Sequence, residues 1–117
     1  MLGRLLGLFR KQPIRIEGAM RVPEGEARKV TLGDPLAGNG VDLVLAKVGG
    51  RLHALDARCP HAGGFLIEGP LAEGRFAVCP LHNYHFDPAT GDCQNAPCGR
   101  ARTYRVAQDG EDVEVFI

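Results

Sequence analysis

The sequence predicts one antiparallel all-β domain preceded by a short N-terminal helix. Three observations carry this. The 117 residues include 16 glycines and 8 prolines but no tryptophan, a composition that favours turns and short elements over long helices. A Gly-Gly pair at 49–50 separates two apolar runs of strand length, the pattern of a two-residue hairpin. Beyond it, short apolar segments alternate with Gly/Pro-rich stretches, with no helical period and no internal repeat. A chain of this length fits one domain with a modest core.

Taken in order, Met1 to Lys11 places Leu2, Leu5, Leu6 and Phe9 at helical spacing with Pro13 just beyond, which predicts a short amphipathic helix. Residues 1–13 are therefore read as an extension and 14–117 as the domain. The helix is marginal alone, so it either packs on the body or docks elsewhere; its basic residues suit a partner or a membrane surface. Val41 to Val48 and Arg51 to Asp56 are the hairpin strands. Pairing across Gly49-Gly50 sets Leu45 opposite Ala54, Val44 opposite Leu55 and His53 opposite Ala46. Both faces then carry apolar pairs, which fits strands buried on both sides. Further strands are predicted at Arg75–Val78, Tyr84–Asp87, Arg100–Ala107 and Val113–Ile117, with loops at 57–74 and 88–99.

Basic and acidic residues balance at 14 each, so no overall field points to nucleic acid. Arg4, Arg10, Lys11 and Arg15 form a basic head without an acid, leaving the body mildly acidic. The N-terminal apolar stretch is too short to span a bilayer and reads poorly as a signal peptide, since Arg4 interrupts it and no small-residue cleavage pattern follows. The cytoplasm is the expected compartment. There, four cysteines clustered with histidines suggest metal rather than disulfides.

Two clusters carry the chemistry: Cys59-Pro60-His61 and, after seventeen intervening residues, Cys79-Pro80-Leu81-His82. Each supplies one soft thiolate and one imidazole where a strand runs into a loop. Two such loops facing each other present two sulfurs and two nitrogens to one site. Thiolates favour zinc, Cu(I) or iron–sulfur centres, and imidazole suits zinc or iron. Cys₂His₂ is a common zinc set, but there the two Cys normally come together and the two His together. One of each per loop lets one iron take both thiolates and the other both imidazoles, which favours a [2Fe-2S] centre with mixed ligands. His53, within a strand, and His85, on the opposite strand face from Tyr84, are not expected to be ligands.

The run Cys59-Pro60-His61-Ala62-Gly63-Gly64, the run Cys79-Pro80-Leu81-His82-Asn83-Tyr84-His85-Phe86-Asp87 and the Ala89-Thr90-Gly91 that follows closely resemble the Rieske ferredoxin family. The likeness is specific over residues 56–92 and holds in outline over 14–117. It implies stacked antiparallel β-sheets with a cluster-binding subdomain. One Rieske-type [2Fe-2S] cluster would be held by Cys59, His61, Cys79 and His82 at the tip of two hairpin-like loops. A third, proline-bearing loop covers the cluster in such proteins, and Asn95-Ala96-Pro97-Cys98-Gly99 resembles it. Replacing two thiolates by neutral imidazoles removes negative charge, so an added electron costs less and the potential rises.

The chain also departs from part of that family. Respiratory-type members carry a further Cys in each cluster loop, joined as a disulfide; here those positions are Gly64 and Leu81. They also place Ser and Tyr two and four residues after the second His, where this chain has Tyr84 and Phe86. The resemblance therefore implies a potential low in the Rieske range. Asn83 stands where glycine is usual, and asparagine is among the few residues that tolerate a positive φ. Cys93 and Cys98 are left over, as inert thiols or as a pair able to form a disulfide. No facial triad, dinucleotide Gly motif or nucleophile–base pair is evident, so no catalytic residue is assigned. The expected function is a one-electron carrier between redox proteins, from a reductase to an oxygenase or another terminal enzyme. Its alternatives are a small electron-transfer or regulatory subunit, similar to that of nitrite reductase and docked by the N-terminal helix, and a zinc-stabilised structural domain.

Overall fold

The computed structural model describes residues 13–38, 40–60 and 63–117. The helix expected over 1–11, and His61 with it, lie outside the described residues. Nine strands form among the described residues: β1 (Pro13–Ile16), β2 (Glu26–Leu32), β3 (Val41–Val48), β4 (Arg51–Asp56), β5 (Gly69–Pro70), β6 (Ala77–Cys79), β7 (Tyr84–Phe86), β8 (Thr103–Asp109) and β9 (Asp112–Phe116). Seven of them run in the order β1-β9-β8-β4-β3-β2-β5, and β6 pairs with β7 as a separate hairpin. Every pairing is antiparallel. The all-β expectation holds. No helix among the described residues is long and apolar enough to cross a membrane.

The β3–β4 hairpin is the centre of the large sheet. Its register sets Leu45 against Ala54, Val44 against Leu55 and Ala46 against His53, as the Gly49-Gly50 turn requires. Both glycines have positive φ, 61° and 77°, which two-residue hairpin turns demand. The Glu24 carboxylate accepts hydrogen bonds from both of their N–H groups, at 2.6 and 2.8 Å. Leu43, Val44, Leu45 and Ala46 are all buried, because the strand has a core on each face. Leu43, Leu45 and Ala54 pack with Val113 and Val115 on one side. Val44, Ala46, Leu55 and Ala57 pack on the other with Phe86, Cys59 and Cys79. This second core supports the candidate metal centre.

Several predicted boundaries are corrected. The strand expected at Arg75–Val78 begins at Ala77, because the N–H groups of Arg75 and Phe76 both donate to the Ala72 carbonyl in a tight turn. Tyr84–Asp87 ends at Phe86, where the Asp87 N–H turns to the Asp92 carbonyl at 2.9 Å. Arg100–Ala107 begins only at Thr103. The residues before it bond elsewhere: the Ala101 N–H to the Gly91 carbonyl and the Arg102 carbonyl to the Asp56 N–H. Val113–Ile117 is shifted by one residue to Asp112–Phe116. Strands β1, β2 and β5 were not expected, and β5 falls inside the predicted 57–74 loop.

Candidate metal centre

Two hairpin-like loops meet over the second core. The first leaves β4 at Asp56. Its ends are drawn together by the Cys59 N–H to the Gly64 carbonyl at 2.8 Å and the Leu66 N–H to the Ala57 carbonyl at 2.7 Å. The second joins β6 to β7, with Cys79 in register with Tyr84. The loops are tied to each other by the Ile67 N–H donating to the Val78 carbonyl at 3.0 Å.

This arrangement brings Cys59 and Cys79 to one place. Both are buried, and they flank Gly64 from opposite loops. A Cβ built on Gly64 would lie 2.5 Å from Cys79 Sγ and 3.3 Å from Cys59 Cβ. The two sulfur-bearing side chains thus converge on a space kept open by the absence of a side chain at residue 64. The same Cβ would lie 3.5 Å from Leu81 Cβ, a separation that a disulfide spans. The respiratory-type bridge is therefore missing by composition rather than by geometry. His82 lies three residues beyond Cys79, its ring 5.4 Å from that of Tyr84.

Asn83 adopts φ 55°, so the asparagine takes the left-handed turn expected of a glycine there. Its carbonyl accepts a hydrogen bond from Asn95 Nδ2 at 2.8 Å, while Asn95 Oδ1 accepts one from the His85 N–H at 2.9 Å. One side chain of the third loop thereby clamps the second. At its far end Gly99 lies against Pro60, since a Cβ on Gly99 would sit 3.7 Å from Pro60 Cβ. The segment 95–99 reaches both cysteine loops, as a covering loop would. His85 is turned away: its ring stacks near Phe76 with centroids 6.5 Å apart, and its Nε2 lies 3.2 Å from Asn83 Oδ1. His53 is half-buried in β4, where burial lowers its pKa.

Sequence reasoning missed the support beneath the first loop. Asp56 is the only buried charged residue among those described, at 5% exposure. Its carboxylate accepts the Arg58 N–H at 2.9 Å, the Arg58 guanidinium at 3.3 Å and the Tyr104 hydroxyl at 3.1 Å. The available signal was an acid at a strand end just before the Cys-x-His run. Burial pushes this carboxyl up, but the hydrogen bonds from Arg58 and Tyr104 outweigh it and hold the pKa below the usual value. In the unfolded chain the group titrates near pH 4, about the ordinary value for an aspartate. Its contribution is therefore complete above that pH and is lost on acidification through the lower folded value. Asp56→Asn is expected to cost about 1.5–3 kcal/mol at neutral pH, the worth of hydrogen bonds to a buried charge. Urea unfolding at pH 7 and again below pH 4 checks this, with the gap to the wild type narrowing in acid.

The antiparallel fold and the converging thiols define an iron–sulfur domain. The Rieske [2Fe-2S] domain model matches residues 13–111. The ferredoxin component of the naphthalene 1,2-dioxygenase system of Pseudomonas aeruginosa is 36% identical over 97 residues, which cover 82% of this chain and 86% of that protein. Among solved structures, the ferredoxin of carbazole 1,9a-dioxygenase from Nocardioides aromaticivorans IC177 superposes with a TM-score of 0.70 at 25% identity, covering 90% of this chain and 97% of that one. A ferredoxin solved in complex with its oxygenase in carbazole 1,9a-dioxygenase gives 0.74 at 25% identity, covering 89% and 92%. The chain belongs to the Rieske [2Fe-2S] domain family, and its cofactor is one Rieske-type [2Fe-2S] cluster.

Proposed function

We propose that Cys59 and Cys79 hold one iron of the cluster, that His61 and His82 hold the other, and that the protein carries single electrons from a reductase to an oxygenase or another terminal enzyme. The observation that carries this is the convergence of Cys59 and Cys79, from two loops, on the space beside Gly64. The chemistry of the donor set fits as well, since buried thiolates suit iron and imidazole completes a Rieske site. When bound, the cluster supplies reversible one-electron chemistry. The chain's own residues position the ligands, exclude water and present the partner surface. Gly64 leaves room for the sulfurs, Asn83 sets the second turn, and Asn95 fastens the covering loop across it.

A docking surface surrounds this end. Phe65, Ile67 and Leu81 are exposed, and exposed apolar side chains grouped in this way mark contact sites. Arg58, Arg100 and Arg102 line a cleft beside Cys59 and Pro60 together with Asp56; Arg58 and Arg100 are ion-paired with Asp56 and Asp92, and the remaining excess of positive charge favours a partner with an acidic rim. The relatives are ferredoxin components of dioxygenase systems, and this chain is read likewise as a carrier with no catalysis of its own. The domain is read as 14–117 and the extension as 1–13; β1 and the family match both open at residue 13, which favours a boundary there, one residue earlier than that division. The cytoplasm is proposed as the compartment, because Cys59 and Cys79 must stay reduced to bind iron.

Electron paramagnetic resonance of the reduced protein tests the ligand set. A mean g well below that of all-thiolate clusters is expected, and a colourless, iron-free native protein would overturn the reading. The midpoint potential should fall in the lower Rieske range, from about −150 mV to roughly +100 mV. The side chain at 86 is a buried phenylalanine, which offers no hydroxyl to raise it. Protein-film voltammetry measures this directly.

A further inference from the structure

Cys93 and Cys98 take no part in the proposed ligand set, yet Cys98 lies in the covering loop and Cys93 two residues before it. Both are thiols, both are half-buried, and both pack against the core that contains Cys59 and Cys79. Each side chain is near enough to the other to perturb its ionisation. Cys93 Sγ lies 3.7 Å from Asn95 Oδ1. The backbone holds the pair in place. Cys93 bridges to Phe86, the Gln94 N–H donates to the His85 carbonyl at 2.7 Å, and Asn95 grips Asn83 and His85.

We propose that Cys93 and Cys98 are a redox-responsive dithiol that closes to a reversible disulfide across the covering loop by exchange with a low-molecular-weight disulfide. Cys93 sulfur attacks one sulfur of the small disulfide, forming a mixed disulfide and releasing one small thiolate, which takes up a proton. Cys98 then loses its proton and attacks the Cys93 sulfur, releasing the second small thiol. Two protein thiols are oxidised and one small disulfide is reduced to two thiols; excess thiol reverses both steps.

The order of attack follows from the surroundings. Burial disfavours the Cys93 thiolate, but the Cys98 thiol and the backbone N–H groups more than compensate and lower its pKa. Cys98 is pushed up to about 11 by burial and by its Cys93 neighbour, so it is the resolving thiol. The bridge would fasten Cys98, beside the Gly99–Pro60 contact, to the strand pairing at Phe86. The covering loop would then be braced at both ends.

The test uses the full-length, cluster-loaded protein, incubated without oxygen with oxidised glutathione, quenched in acid, alkylated and mapped by mass spectrometry. Cleavage before Asp92 and before Asp109 releases a segment in which Cys93 and Cys98 are the only cysteines. This segment is expected to be two hydrogens lighter and unalkylated, and to regain two alkylation sites after dithiothreitol. Cys98→Ser should stop at one glutathione adduct on Cys93. Cys93→Ser should form its adduct more slowly than Cys98→Ser, because burial still disfavours the Cys98 thiolate once its Cys93 neighbour is gone. A wild type that keeps both thiols alkylatable, accumulates a stable glutathione adduct, or links either residue to Cys59 or Cys79 would overturn the proposal. Equal rates in the two variants would overturn the assigned order.

Discussion

A Cys79→Ser protein is expected to purify without its cluster, with iron content and visible absorption reduced on the order of a hundredfold or more, since the lost ligand removes most of the binding free energy of the site. Serine fits the space left by cysteine, so sterics are not the cause. The hydroxyl stays protonated at neutral pH, where the thiolate is the form that ligates. The residue it replaces is 1% exposed at the end of β6, with the first loop packed against it at Gly64. Thermal stability should fall with the cluster, because a group bound only by the folded chain adds its binding free energy to folding. Iron quantitation and a thermal melt of the variant beside Cys93→Ser separate the two kinds of cysteine. Cys93→Ser should keep full iron content; a Cys79→Ser protein that also kept it would remove Cys79 from the ligand set.

The parts of the molecule legible in the sequence are those where local chemistry leaves one choice. Gly49-Gly50 dictates the hairpin, and the hairpin dictates the β3–β4 register. The left-handed turn at residue 83 follows from asparagine in a glycine position. The Cys-x-His and Cys-x-x-His runs mark the two loops that the fold brings together at Gly64. By contrast, β2 was illegible for a physical reason. Its buried residues, Ala27 and Leu32, differ in parity and serve opposite cores, so no period-2 pattern survives. β1 opens on a proline, which an edge strand tolerates at its first residue but which reads as a break when no partner is visible. β5 is two residues long and exists only through its pairing with Glu26 and Ala27. The Asp56–Arg58–Tyr104 cluster joins residues 48 apart in sequence, a distance at which composition and spacing carry no signal.

The largest structural effect is expected from Gly91→Ala, at a residue remote from every proposed ligand in sequence. Gly91 has φ 81°, a conformation that costs an alanine roughly 1 kcal/mol or more by itself. A Cβ there would also lie 2.1 Å from the Ala101 carbonyl oxygen. That oxygen belongs to backbone and cannot rotate aside, so the chain itself must move. The movement would cost the hydrogen bond from the Ala101 N–H to the Gly91 carbonyl at 2.8 Å and that from the Gly91 N–H to the Asp87 carbonyl at 2.7 Å. Together these place the variant among severe single substitutions, at about 3–5 kcal/mol of destabilisation. The displaced segment, Asp87 to Ala101, spans the covering loop and leads into the strand whose Tyr104 supports Asp56. Denaturant unfolding should show the stability loss, and a chelator challenge should strip iron from the variant faster than from the wild type. Asn83→Gly is the informative contrast: it keeps a residue suited to its φ of 55° and leaves the carbonyl that Asn95 grips, so it should retain its iron. If Gly91→Ala unfolded at the same denaturant concentration as the wild type, the close approach of residues 91 and 101 would not be what holds the covering loop in place.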